Sequence, residues 1–403
     1  MDSGIVIIGA GHAGDAAAAH LRQYGFAGAI TLVGAEPFAP YHRPPLSKTW
    51  LKGELAETGL ALRAADFYAR QNIALRVGTC ALRIDRPAQQ VILGHGEALP
   101  YTHLILATGA RARPLSIPGA DLPHVHTLRT RADADTLRAA LAPGRRLVII
   151  GGGYIGLEIA ASARALGVAV TVLEREARLL ARVASVPLSG FFQRTHEAQG
   201  VRFHLGADVA AIRPDSVVLH NGEAIPADVV LIGVGAVPNA ELAQAVGLGC
   251  ENGILVDEAS RTSDPAIFAI GDVTARPVPL YGRRLRLESV PNAQEQAKQA
   301  ASAITGRRAP APDVPWFWSD QYSVRLQIAG LLLDVAETVL RGDPADAKFA
   351  AFHLAADGTV QAVEAVNTPE AFMAGRLMIG RRTIPDNKQL ADVTIPMKTI
   401  AAG

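Results

Sequence analysis

Two glycine triplets are the residues in this chain whose types and spacing point most directly to chemistry. Gly9, Gly11 and Gly14 form G-x-G-x-x-G immediately after the apolar run Ile5, Val6, Ile7 and Ile8. Gly151, Gly153 and Gly156 repeat it after Leu147, Val148, Ile149 and Ile150. Between a buried strand and a helix, the first glycine permits the tight turn and the second lets backbone approach a pyrophosphate. The third allows helix and strand to pack closely. Unpaired N–H groups at the helix start, reinforced by the helix dipole, hold phosphate charge. His12 and Ala13 fill the variable positions of the first triplet, and Tyr154 and Ile155 those of the second. An acid follows each. Glu36 stands 22 residues beyond Gly14, and Glu174 stands 18 beyond Gly156, at the end of the next apolar strand. A carboxylate there accepts hydrogen bonds from a ribose diol. Two complete fingerprints imply two different dinucleotides, as in a flavoprotein that meets a nicotinamide.

The elements that position these residues are themselves repeated. Residues 91–110 align without gaps to 217–236, with eight of twenty positions identical, including Gly96/Gly222, Glu97/Glu223, Pro100/Pro226 and Gly109/Gly235. Both copies read as hairpin strands feeding a buried strand that ends in a Gly-Ala turn. Each follows its own fingerprint, so the chain contains two related nucleotide-binding units. Helices are expected over 15–24 and from Gly156 toward 166, and near 291–304 and 369–379. Strands are expected at 30–33, 73–78, 254–256, 267–273, 326–329, 336–340, 349–354 and 360–366. The stretch 40–48 is too proline-rich for regular structure; it reads either as a solvated connector or as a loop lining the ligand crevice. After the linker 310–315 the chain carries no further fingerprint and reads as a separate α+β domain. The expected fold is α/β, with two Rossmann-like dinucleotide-binding domains of the glutathione-reductase type and a small α+β C-terminal domain.

Composition narrows the function. The chain has 403 residues, 49% of them apolar, and a net charge of +1. A size of this order predicts several domains with ample cores. Mixed charge leaves no nucleic-acid or membrane footprint, and no apolar run reaches the ~18 residues of a membrane helix. Residues 1–4 lead straight into the first strand, which leaves no room for a targeting peptide, so the expected location is the cytoplasm. Cys80 and Cys250 are the only cysteines; a disulfide framework is not expected, and no metal site is.

Further motifs appear in order: Arg43-Pro-Pro-Leu-Ser-Lys48, Ala107-Thr108-Gly109-Ala-Arg111, 233–239, Ala-Ile-Gly-Asp272, Leu-Glu-Ser289-Val290 and Pro315-Trp-Phe-Trp318-Ser-Asp-Gln321. Asp272, past a buried strand, could accept a hydrogen bond from a flavin ribityl hydroxyl or could be an ordinary strand-end aspartate. Across nearly the whole chain these motifs resemble the FAD-dependent NADH–ferredoxin reductases of bacterial oxygenase systems. The resemblance implies an FAD-binding domain over 1–110 and 240–312, an NADH-binding domain over 111–239 and an interface domain over 313–403. FAD would then be held by Gly9, Gly11, His12, Ala13, Gly14, Glu36, Arg43, Lys48, Ala107, Thr108, Gly109, Arg111, Asp272, Ser289, Val290 and Trp318. NADH would be held by Gly151, Gly153, Tyr154, Ile155, Gly156, Glu174, Arg182 and Gly235. Trp316 and Trp318 are alternatively core aromatics.

The resemblance also implies a catalytic pair. Lys48 would stabilise negative charge developing on the flavin as it takes hydride, with Glu158 orienting and neutralising it; the alternative is a helix-face glutamate and an unpaired loop lysine. Glu174 favours NADH, since a carboxylate repels a 2′-phosphate, although Arg175, Arg178 and Arg182 argue the other way. Hydride would pass from NADH to FAD, then single electrons to an acidic [2Fe-2S] ferredoxin feeding a cytochrome P450 or Rieske-type oxygenase. No cysteine pair stands beside the flavin to divert them. Arg283, Arg284, Arg286, Lys298, Arg307 and Arg308 are candidate docking charges or simply solvated surface. Rubredoxin, a quinone or another small acceptor is the alternative within enzymes, and a non-catalytic flavoprotein the alternative outside them. The oligomeric state is not legible.

Overall fold

The computed structural model describes residues 4–401. They form two compact units, one of residues 4–42, 57–111 and 236–313, the other of residues 43–56, 112–235 and 314–401.

In the first unit, Gly4–Ile8 is buried at every position, as expected of a central parallel strand covered on both faces. Ile73–Arg76, Ile30–Val33, Gly4–Ile8, Ala98–Leu106 and Ile267–Ala269 lie side by side in that order, all parallel. The outer half of Ala98–Leu106 instead pairs antiparallel with Gln90–Leu93, which pairs with Ala81–Asp85. The helices His12–Gln23 and Val290–Ile304 cover one face through Ala17, Ala18, Leu21, Ala297, Ala300 and Ala301. Small residues at these positions let the helices approach closely. The first helix starts three residues earlier than its apolar pattern suggests, because Gly11 is its N-cap.

The second unit repeats the plan. Arg202–Leu205, Ala169–Glu174, Arg146–Ile150, Val229–Ile232 and Val125–His126 form a parallel sheet in that order. Val209–Arg213, Ser216–Leu219 and Ala224–Pro226 form the antiparallel outgrowth. The repeat is imperfect here: one continuous strand in the first copy is two strands in the second, Ala224–Pro226 and Val229–Ile232. The same unit carries a fully antiparallel sheet of Trp316–Gln321, Val324–Gly330, Val360–Val366, Lys348–Leu354 and Glu337–Asp343. Helix Pro369–Arg381 lies against it so closely that a Cβ on Gly375 would stand 2.3 Å from Val363 Cγ1. Leu157, Leu179, Phe191 and Phe192 share one core with Val324, Leu326, Ile328 and Phe349, so the tail sheet is bonded into this unit by apolar packing.

Two sequence expectations need correction, and three further elements were not foreseen. The strand expected over 267–273 ends at Ala269, and Gly271–Val273 is a 3-10 turn. The proline-rich stretch is not irregular throughout: Pro44–Ser47 forms a single 3-10 turn, since proline costs nothing where the helical N–H is unpaired anyway. The aromatic motif at 316–321 is a strand, Trp316–Gln321, and the chain end adds two short helices, Asn387–Ala391 and Met397–Ile400.

Candidate functional site

The two fingerprints adopt the same local geometry. Gly9 and Gly151 have φ of 114° and 111°, a region that a side chain rarely enters. A Cβ on Gly9 would lie 2.1 Å from Ala107 O, and one on Gly151 would lie 2.5 Å from Gly233 O. The third glycines are equally constrained, with a Cβ on Gly14 falling 1.9 Å from Gly9 O and one on Gly156 falling 2.5 Å from Gly151 O. Gly153 differs: a Cβ there would meet nothing within 4 Å. Its lack of a side chain answers to no packing demand of the protein.

The helix starts are also distinctive. Helices Arg131–Ala140, Val186–Ala198 and Val290–Ile304 are capped by the side chains of Thr130, Ser185 and Ser289. His12–Gln23 and Tyr154–Ala165 begin on Gly11 and Gly153 with no side-chain cap. Their first N–H groups are left to water or an outside acceptor, and a dinucleotide diphosphate suits both; helix Pro369–Arg381 also lacks a side-chain cap but opens on proline and not on a fingerprint glycine. Ile155, in the first turn of the second helix, is 50% exposed, an apolar surface fitted to be covered by a ligand. Tyr154 beside it is half-buried and edge-on to Phe317, ring centroids 4.9 Å apart, with a buried hydroxyl that meets no partner among the described residues.

The acids at the strand ends hold local structure. Glu174 accepts from the backbone N–H of Gly152 at 2.6 Å and of Glu176 at 2.9 Å. Each oxygen keeps a further lone pair for a ribose hydroxyl, while the carboxylate pins the fingerprint turn. Tyr41 donates to Glu36 at 2.5 Å. Arg178, one of the cations that argued for a 2′-phosphate, donates to Ala181 O, Ala184 O and Ser189 Oγ. Its guanidinium is occupied by the 181–184 turn and by Ser189 of the helix that follows; Arg175 and Arg182 are exposed.

Other expected residues gather in the first unit. Gly271 packs its α-carbon toward Ala13, and its N–H donates to Gln296 Oε1 at 2.8 Å. This brings the short turn with Asp272 to the first fingerprint helix. His12 lies with its ring 5.7 Å from His42. Thr108 and Asn239 exchange two hydrogen bonds, Thr108 Oγ1 to Asn239 O at 2.7 Å and Asn239 Nδ2 to Thr108 O at 2.9 Å. Arg111 donates to Asn239 Oδ1 at 2.8 Å and pairs with Glu241 at 2.6 Å. Gly109, φ 65°, sits inside this clasp, and Gly235 has φ 108°. Val290 opens the helix capped by Ser289. Of the candidate docking arginines, Arg284 donates to Val256 O and Ala275 O, Arg286 pairs with Glu288, and Arg307 lies over the Tyr24 ring. Arg308 and Lys298 are exposed.

The second unit brings together the predicted pair. Lys48 Nζ lies 2.6 Å from Glu158 Oε2, with side-chain exposures of 17% and 3%. Ser47 Oγ donates to the same oxygen at 2.5 Å, and Ser319 Oγ donates to Oε1 at 2.6 Å. The lysine is thus not an unpaired loop residue. Ser47 and Ser319 were not singled out from the sequence, although both lie within quoted motifs. Arg43 donates to Arg129 O at 2.6 Å, and the Trp318 ring lies 5.6 Å from that of Trp316. Among the described residues no group of His, Cys, Asp and Glu could hold a metal ion, and no helix is long and apolar enough to cross a membrane.

The pyridine nucleotide-disulphide oxidoreductase family matches residues 3–297, and the reductase C-terminal family matches 316–401. The chain belongs to the FAD-dependent NADH–ferredoxin reductases of that family. It is 48% identical over 403 residues to a probable ferredoxin reductase of Castellaniella defragrans, covering 98% of each chain. To putidaredoxin reductase of Pseudomonas putida it is 42% identical, covering 99% of this chain and 96% of that one. The covalent putidaredoxin reductase–putidaredoxin complex superposes with a TM-score of 0.97 at 41% identity, covering 100% of this chain and 98% of that one. The ferredoxin reductase of the CYP199A2 system from Rhodopseudomonas palustris gives 0.96 at 40%, covering 99% and 100%. The protein is a flavoprotein oxidoreductase that uses FAD and NADH.

Proposed function

We propose that this reductase draws electrons from NADH and delivers them singly to an acidic [2Fe-2S] ferredoxin that feeds a cytochrome P450 or Rieske-type oxygenase, working in the cytoplasm. The observation that carries the reading is the pair of uncapped, glycine-started helices in one chain, one for each dinucleotide. Bound FAD supplies the conversion between two-electron and one-electron chemistry. The residues do the rest. Gly9, Gly11, Gly14 and Glu36 hold the FAD diphosphate and ribose, with Thr108, Arg111, Asp272, Ser289, Val290, Arg43 and Trp318 along the remainder. Gly151, Gly153, Gly156 and Glu174 hold NADH, with Tyr154, Ile155, Arg182 and Gly235 around it. Domains over 1–110 with 240–312, 111–239 and 313–403 divide these tasks.

Lys48 would support hydride transfer by presenting a fixed ammonium toward the flavin ring when FAD is bound, and a preorganised cation needs no reorganisation. Glu158, ion-paired at 2.6 Å, sets the ammonium's direction. The two cysteines, Cys80 and Cys250, are free, which fits electrons leaving without a thiol relay.

NADH-driven cytochrome c reduction by the flavin-loaded protein, with and without a small [2Fe-2S] ferredoxin, tests the reading. A large ferredoxin-dependent gain is expected. Flavin reduction with no gain from ferredoxin would overturn the acceptor and bring quinones or rubredoxin forward; no reduction by NADH would overturn the role of Glu174.

A further inference from the structure

A buried polar chain runs back from the Glu158 carboxylate. Ser319 Oγ donates to Glu158 Oε1 at 2.6 Å, and Gln321 Nε2 donates to Ser319 Oγ at 3.1 Å. Gln321 Oε1 faces His196 Nε2 at 2.7 Å, and His196 Nδ1 faces the Tyr322 hydroxyl at 3.1 Å. Ser319, Gln321 and His196 are exposed by no more than 1%. The direction of every link follows from its end. An ionised carboxylate only accepts, so Ser319 must give it the hydroxyl hydrogen. The serine oxygen is then free to accept from the Gln321 amide, which orients that amide with its oxygen toward His196. His196 must carry its hydrogen on Nε2, leaving Nδ1 to accept from Tyr322. Burial holds the imidazole neutral, pushing its pKa down to about 4.

We propose that this chain is a positioning device: Ser319, oriented by Gln321 and His196, holds the Glu158 carboxylate in one orientation opposite Lys48. The inference rests on the reading that Lys48 and Glu158 serve hydride transfer. A serine hydroxyl alone is a free rotor that can turn away from the carboxylate. With its acceptor position filled by the glutamine, its hydrogen has one place to go. All the groups hydrogen-bonded to Glu158 are then donors: Lys48 and Ser47 on one oxygen, Ser319 on the other. Lys48 is its charged partner; the titratable groups further along are His196 and Tyr322, the latter acted on from a distance by Arg164. A proton relay is not implied, because an amide does not pass protons at such a link. The chain fixes an orientation.

The test separates the device from the reading beneath it. In the FAD-loaded protein, Lys48→Met should slow flavin reduction by NADH. Ser319→Ala, which frees the carboxylate to turn away from the ammonium, should slow the same step by about 10-fold, the size of losing one hydrogen bond to a charged group, with KM for NADH unchanged. Ser319→Thr, which keeps the hydroxyl, should restore it. If Lys48→Met leaves reduction unchanged, the underlying reading fails. If Lys48→Met slows it but Ser319→Ala does not, or Ser319→Thr does not restore it, the positioning device fails. A readout independent of activity is the ring ¹⁵N spectrum of His196 in the unmutated protein. A neutral ring with hydrogen on Nε2 from about pH 5 to 8 is expected. A cationic ring, or hydrogen on Nδ1, would overturn the direction of the chain.

Discussion

Gly153 and Gly156 lie three positions apart in one fingerprint, yet substituting each by alanine should damage different properties. At Gly156 the new methyl would stand 2.5 Å from Gly151 O, about 0.9 Å inside the 3.4 Å at which ordinary contact begins, and 3.3 Å from Ile149 Cγ2. The near neighbour is backbone and cannot swing aside, so strand and helix must separate. Overpacking of this kind costs about 1–3 kcal/mol, against a helix-propensity gain of about 1 kcal/mol for alanine. A net loss of about 0–2 kcal/mol, centred near 1 kcal/mol, and a fall of a few degrees in Tm are expected. At Gly153 nothing lies within 4 Å, and φ is −81°, so the backbone accepts alanine without strain. The few tenths of a kcal/mol lost at an N-cap are offset by the stiffer unfolded chain, and Tm should barely move. What the methyl obstructs is the approach of a phosphate to the uncapped helix start. Losing one charge-assisted hydrogen bond, about 1.5–3 kcal/mol, weakens binding by about 10- to 100-fold. Calorimetric melting, with titration of NAD⁺ into the oxidised protein, measures both quantities. An unchanged Kd in Gly153→Ala would refute the role of the bare helix start, and an unchanged Tm in Gly156→Ala would refute the packing argument.

Further perturbations follow from single groups. Lys48→Met should slow NADH-driven flavin reduction while FAD stays bound, as followed by stopped-flow bleaching of flavin absorbance. Because His196 falls from 6.5 to about 4 in the folded chain, the unfolded chain binds an extra proton between those values. Stability should therefore decline as pH falls from about 6.5 toward 4; denaturant titrations of His196→Asn should show a shallower decline across that window. Arg146 holds the Asp228 carboxyl down to about 2, a contribution present above the carboxylate's unfolded pKa and lost as pH falls toward 2. The pair is solvent-exposed, so Asp228→Asn should cost only about 0.5 kcal/mol at neutral pH and less in acid. Ferredoxin-dependent turnover should fall steeply with added salt if exposed Lys298 and Arg308 steer docking, and a flat response would remove them from that role.

The parallel cores and their glycines were legible because period and spacing are local: four buried residues, a turn that only glycine accepts, then a helix. The tail sheet was legible for the same reason where apolar runs are long, as at Val360–Val366. Trp316–Gln321 escaped because three consecutive aromatics are followed by Ser, Asp and Gln with no period-two alternation, and a buried serine reads as surface. The turn at Pro44–Ser47 escaped because prolines usually mark irregular chain. The Lys48–Glu158 contact came from a motif resemblance and not from periodicity, since nothing local links residues so far apart. Ser319, Gln321 and His196 were beyond sequence reading altogether. Their meaning depends on which hydrogen bonds they complete, and His196 approaches Gln321 across a separation of 125 residues.

The irregular stretch that carries Lys48 is nonetheless rigidly held, and this decides what the lysine can do. Residues 43–56 belong to the same compact unit as the second fingerprint helix. Leu51 is fully buried against Leu137, Leu147, Ile149 and Ile159, a contribution of about 1.5–3 kcal/mol. Trp50 donates its indole N–H to Asp135 Oδ1 at 2.8 Å and lies under the Arg131 guanidinium at 4.9 Å. Ser162 Oγ, from the helix that carries Glu158, donates to Ser47 O at 2.7 Å. With anchors at 47, 50 and 51, the chain on both sides of Lys48 has little freedom left to lose. An ammonium on a mobile loop would have to be ordered in each turnover, and that cost would subtract from the electrostatic stabilisation it provides. Here the ordering is completed by folding. The 2.6 Å Lys48–Glu158 contact is therefore a property of one scaffold, held by the packing on both sides of the lysine.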